Sequence, residues 1–85
     1  MIIVYHQDFK RNYKKLSPKV KGKLEERLRI FSKDEFNPIL NNHALKGKWL
    51  EYRSINVTGD IRAIFKRNPA VVIFVAIDSH SNLYK

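Results

Sequence analysis

The chain has 85 residues, 17 Lys and Arg against 8 Asp and Glu, a formal net charge of +9 and no cysteine. That length makes one domain, residues 1–85, with a small core, and the charge calls for a polyanion, nucleic acid before an acidic protein, because neutralised phosphates release counterions. Disulfides and thiolate metal sites are excluded, which suits a cytoplasmic protein, and no apolar run approaches the roughly 18 residues that span a membrane.

Met1 to Tyr5 reads as an N-terminal strand, too short and too poor in basic residues for a secretion leader. From Asp8 a short helix follows, with Phe9, Tyr13 and Leu16 sharing one face. Ser17-Pro18 is a helix start, Ser as N-cap and Pro in the first turn. The second helix carries its apolar stripe on Val20, Leu24, Leu28 and Phe31, with Glu25 and Arg29 spaced to pair, and ends near Ser32 to Glu35 ahead of Asn37-Pro38. Between Lys10 and Lys23 stand seven basic residues and no acidic one. That run is either an electrostatic patch for RNA or an acidic body, or an ordinary solvated helix surface.

Ile39 to Gly47 is a connection carrying His43. Trp49 to Val57 reads as a strand whose imperfect alternation suggests a bulge. Thr58-Gly59 makes a tight turn, and Ile61 to Lys66 alternates Ile61, Ala63 and Phe65 inward against Arg62 and Lys66 outward. Asn68-Pro69 makes the next turn. Ala70 to Ile77 is unbroken apolar sequence, a central strand covered on both faces, which delivers Asp78, Ser79 and His80 to a fixed place on the surface. The order β-α-α-β-β-β predicts an α+β fold, a helical hairpin packed on one face of a small, mainly antiparallel sheet. Arg62, Lys66 and the strand ends are left on the other face.

These residues suit metal-free RNA cleavage, in which a base frees the 2′-hydroxyl, cations stabilise the phosphorane and an acid protonates the leaving 5′-oxygen. His80 and His43 exchange protons near neutrality, Asp60 is a base or orients a histidine, and Arg62 forks onto phosphate. Each has a plainer role. His43 and His80 serve equally as surface histidines, Asp60 as a turn residue, Arg62 as a cross-strand partner of Glu51, and Tyr84 as either a base-stacking platform or a lid on the core. No metal-ligand spacing joins His6, His43 and His80, and no Gly-rich phosphate loop exists, so no cofactor or metal is expected.

The segments His43-Ala44-Leu45-Lys46-Gly47, Arg53 to Phe65 through Thr58-Gly59-Asp60-Ile61-Arg62, and Ile77-Asp78-Ser79-His80-Ser81-Asn82-Leu83-Tyr84 resemble the RelE/ParE toxin superfamily, and within it the YafQ-like branch. The motifs cover about half the chain and the element order all of it. The resemblance implies a ribosome-dependent mRNA endoribonuclease, the toxin of a type II toxin–antitoxin pair, held in a hetero-oligomer by a cognate antitoxin whose acidic segment wraps the basic surface. By position, His43 matches the histidine of the family's H-x-L-x-G segment, Asp60 its catalytic-region aspartate, His80 the histidine of its S-H-S motif and Tyr84 its terminal aromatic. Arg62 matches an arginine of RelE-type members, whereas Asn56 stands where YafQ carries a further histidine, which moves the acid role to His80 and the base role to His43 or Asp60. Asn56, Tyr84, Lys46, Lys48, Arg53 and Lys66 are expected to bind substrate. A ParE-like inhibitor of DNA gyrase, which has no need of these histidines, and a basic RNA- or antitoxin-binding module without turnover are the alternatives.

Overall fold

The computed structural model describes residues 1–84. Strand β1 (Ile2–Tyr5) leads into α1 (Gln7–Lys14) and α2 (Pro18–Lys33). A 3₁₀ turn over Pro38–Leu40, strand β2 (His43–Ala44) and a second 3₁₀ turn over Gly47–Trp49 connect to β3 (Arg53–Asn56), β4 (Ile61–Arg67), β5 (Val71–Ser79) and a terminal helical turn α3 (His80–Leu83). The sheet order is β1-β5-β4-β3-β2, with β1 parallel to β5 and every other pair antiparallel. The expected α+β architecture is therefore present.

The helices begin where local chemistry starts them. His6 caps α1 through Nδ1, which accepts the Asp8 amide at 3.0 Å, and Ser17 caps α2 by accepting the Val20 amide at 3.2 Å. Each satisfies a backbone donor that has no partner inside the helix. Phe9, Leu24 and Phe31 are driven onto one sheet face, where they meet Ile55, Val57, Ala63, Phe65, Val72, Phe74 and Ile77. The ring of Phe31 lies edge-on to Phe65 and Phe74, centroids 5.1 and 5.5 Å away, a geometry aromatic quadrupoles favour. Glu25 accepts from the Tyr13 hydroxyl at 3.4 Å, which ties α2 to α1.

Four expectations are corrected. The strand over Trp49 to Val57 survives only as β3, because Gly47 and Glu51 take φ of +63° and +75° and break the extended chain before Arg53. The bulge lies instead in β5, where Ile64 pairs with Ala76 and Phe65 with Phe74, leaving Val75 as the extra residue. β5 is buried on the helix face at Val72, Phe74 and Ile77 and only half-buried on the other, and β4 rather than β5 is the middle strand. Arg62 stands opposite Asn56, not Glu51. On the face away from the helices, Ile64 and Ser54 pair across β4 and β3, and both are fully buried.

Candidate active site at the open end of the sheet

Strand pairing sets a row of polar side chains across three strands. Asn56 on β3 lies opposite Arg62 on β4, and Arg62 lies opposite Asp78 on β5. Residues directly opposite share a face, and this row stands on the face turned from α1 and α2, since its neighbours Ile55, Ala63 and Ile77 are the ones in the helix-side core. The half-buried Arg62 donates through Nη1 to the carbonyls of Thr58 at 2.9 Å and Ile61 at 3.3 Å. Its guanidinium is thus oriented by the β3–β4 turn and, among the described residues, is matched by no carboxylate. Asp78 Oδ1 accepts the Ser79 amide at 2.7 Å and Asn82 Nδ2 at 3.1 Å.

The chain leaves β5 straight into α3. Ser79 is its N-cap, accepting the Asn82 amide at 3.2 Å. The backbone N–H of His80 donates to the Asp60 carbonyl at 2.9 Å, so the β3–β4 turn and the start of α3 touch through the main chain. The exposed ring of His80 lies 4.7 Å from that of Tyr84, and Trp49 Nε1 donates to the Leu83 carbonyl at 2.9 Å, which clamps α3 from the far side. Asn56, Asp60, Arg62, Asp78, His80 and Tyr84 are consequently gathered at one end of the sheet.

His43 stands apart by one register step. It pairs with Ser54, two residues before Asn56 on the same face, and its Nδ1 lies 2.8 Å from the Asn41 carbonyl. A carbonyl only accepts, so Nδ1 carries the proton and Nε2 is the basic nitrogen of the neutral ring. Lys46 precedes the 3₁₀ turn beyond β2 and Lys48 lies within it. Lys66 shares Arg62's face, its Nζ 5.6 Å from the centre of the Tyr52 ring. Arg53 is not brought to this group: it pairs opposite the core residue Phe65, donates through Nε to Asn42 Oδ1 at 2.8 Å and lies over the Phe36 ring.

Trp49 and Asn82, whose side chains hydrogen-bond the Leu83 carbonyl and Asp78 Oδ1, were not singled out by sequence reasoning. The Ser79-x-x-Asn82 spacing was a cap signal; nothing local announced Trp49, whose partner is 34 positions away. The arrangement offers two imidazoles, two carboxylates and an oriented guanidinium along one edge, a set that moves protons and holds a phosphate.

The family model described as bacterial toxin of type II toxin-antitoxin system, YafQ, matches residues 1–85. Among solved structures, YafQ from E. coli strain BL21(DE3) superposes with a TM-score of 0.84 at 20% identity, covering 98% of this chain and 97% of that one. A YoeB/ParE toxin from Agrobacterium tumefaciens gives a TM-score of 0.78 at 16% identity, with 94% and 99% covered. The E. coli DinJ-YafQ toxin-antitoxin complex gives 0.80 at 21% identity, with 98% and 96% covered. No curated protein matches.

Proposed function

Because the chain belongs to the YafQ family of bacterial toxins from type II toxin–antitoxin systems, we propose that it acts as a ribosome-dependent mRNA endoribonuclease working by acid–base catalysis. The observation that carries this reading is the row Asn56, Arg62 and Asp78 ending at His80, whose backbone is hooked to Asp60. A message phosphate sits against the Arg62 guanidinium. His43 Nε2 or the Asp60 carboxylate takes the 2′-hydroxyl proton, and the new O2′–P bond forms in line with the departing 5′-oxygen. Arg62 neutralises the added charge on the phosphorane, and protonated His80 delivers its proton as the P–O5′ bond breaks. The products are a 2′,3′-cyclic phosphate and a 5′-hydroxyl end.

Tyr84 offers its ring to a base beside His80, while Lys46, Lys48 and Lys66 hold flanking phosphates. Asn56 hydrogen-bonds substrate without carrying a proton. Arg53 serves the fold through Asn42 and Phe36 rather than the message. Ribosome dependence supplies the alignment that so exposed a set of groups lacks alone. The solved E. coli complex of YafQ with DinJ supports a protein antitoxin for this chain too, its acidic segment lying on the basic surface. Such a toxin works in the cytoplasm, where messages are translated, and among the described residues no helix is long and apolar enough to cross a membrane.

The test maps RNA ends after incubating wild type and His80→Gln with programmed ribosomes in Mg²⁺, and with free RNA in EDTA. New 5′-hydroxyl ends from wild type on ribosomes, reduced about 10²- to 10⁴-fold in His80→Gln, are expected. No ends in any arm overturns the reading, and inhibition of gyrase supercoiling in parallel would assign a protein target.

A further inference from the structure

The proposed chemistry uses Asp60 and leaves the other carboxylate of the row, Asp78, without a part. Asp78 on β5 stands directly opposite Arg62 on β4 and on the same face, a pairing that sets Cα atoms roughly 4.5–5.5 Å apart. Arg62 nonetheless reaches the carbonyls of Thr58 and Ile61, and among the described residues no cation pairs with Asp78. Its carboxylate is held by other means. Oδ1 accepts the Ser79 amide at 2.7 Å and Asn82 Nδ2 at 3.1 Å, which leaves Oδ2 without a hydrogen-bond donor among the described residues. A carboxylate only accepts, and beside a guanidinium that holds phosphate it repels that same phosphate. Such a group in an anion site calls for a ligand that brings donors as well as negative charge.

We infer that Asp78 reads a guanine in the bound message, its Oδ2 accepting from N1–H and the 2-amino group of a base next to the phosphate on Arg62. This rests on the nuclease reading in taking the bound polyanion to be RNA. RNA meets both demands in one chain, with phosphates for Arg62 and base donors for Asp78, and single-stranded RNA is read through the Watson–Crick edges of unstacked bases. An acidic peptide meets Arg62 equally well but sets a further carboxylate against Asp78. Among the four bases, guanine places two donors side by side on that edge with no lone pair between them. Adenine and cytosine set one amino group beside a ring nitrogen that accepts, and uracil sets its single N–H between two carbonyls, so each turns a lone pair toward the carboxylate. The two hydrogen bonds on Oδ1 fix the direction of Oδ2, which a base reader needs.

The experiment measures, by anisotropy at about 0.1 M salt, the binding of three fluorescein-labelled RNA hexamers to the full chain in the His80→Gln background. One is uridine throughout, one carries a single guanosine, and one carries inosine there, which lacks the 2-amino group. The guanosine hexamer is expected to bind about tenfold more tightly than the uridine one, as one hydrogen bond to a charged group at a partly open site allows, with inosine between them. Asp78→Asn keeps a carbonyl for Ser79 and Asn82 and turns the open oxygen into a donor. The guanosine advantage should then fall below about twofold, while loss of the negative charge tightens binding of the uridine hexamer. No guanosine preference in the parent protein, or equal weakening of all three hexamers in Asp78→Asn, would leave Asp78 a purely structural part and overturn the inference. So would an Asp78→Asn chain with His80 intact that keeps the preference but cuts every message more slowly on ribosomes, since Asp78 would then be a proton carrier. If Asp78→Asn fails to fold, the guanosine-to-inosine comparison in the parent protein decides. Guanosine-selective binding by a protein that cuts no RNA would uphold Asp78 and remove only the nuclease; cleavage mapped without regard to guanine would do the reverse.

Discussion

At the scale of single residues, strain and burial give the sharpest expectations. Glu51 sits at φ +75°, where a side chain costs of order 1–3 kcal/mol and glycine does not. Glu51→Gly should raise the unfolding free energy by about 0.5–1 kcal/mol once glycine's unfolded-state entropy is subtracted, read from urea midpoints. Burial pushes the Tyr5 phenol above its ordinary value of 10.0. Its folded pKa is the higher one, so its contribution is intact below the unfolded pKa and is lost as pH rises through the folded value. Denaturation curves from about pH 9 to 11 should therefore show stability falling on the alkaline side, less steeply in Tyr5→Phe. His80 and Arg62 were legible in the sequence because each is a polar residue placed by apolar neighbours that fix its strand. Arg53 lies apart from the Arg62 row for a reason of parity. Once the strand begins at Arg53, pairing sets it opposite Phe65, and a side chain one position from the polar face points to the core.

Among elements, those with a start signal were readable and those without were not. Ser17-Pro18 announced α2, and Ser17→Ala should cost about 1 kcal/mol in equilibrium unfolding, because Ser17 Oγ accepts the Val20 amide. Thr58-Gly59 and Asn68-Pro69 marked the turns of the meander, where Asn68 Oδ1 accepts the amides of Ala70 and Val71. α3 was hidden, since four residues closed by one cap look like any turn, and so was β2, whose two residues carry no period. The element that matters most to the site is α3, and its hold on the sheet passes through Trp49. Trp49→Phe keeps the ring and removes the N–H. Stability should drop by about 1 kcal/mol, whereas, under the proposed activity, RNA cleavage should fall up to about 10²-fold as His80 shifts. A loss of cleavage no larger than the loss of folded protein would deny Trp49 its positioning part.

For the whole molecule, +9 on 85 residues sets how strongly any RNA complex answers to salt. With about four phosphates neutralised, raising salt from about 50 to 200 mM should weaken RNA binding roughly 50-fold, measurable by anisotropy titration. Composition made that surface legible; it did not reveal that α2 turns some of its cations toward the β3–β4 turn, because Arg27 falls three residues after Leu24 and four before Phe31 and so hides within the apolar stripe. The closing strand pair carries a consequence of a different kind. Ile2 pairs with Val71, and β5 leads directly into His80, so β1 waits for the much later β5 to be synthesised before the sheet can close. Pairing over such sequence distance is slow to begin. A chain made only as far as β4 therefore carries neither the finished sheet nor the imidazole at the end of β5, and under the proposed activity the ribosome making this protein is safe from it until β5 and His80 have been made: order of synthesis acts as a safety catch before any antitoxin does.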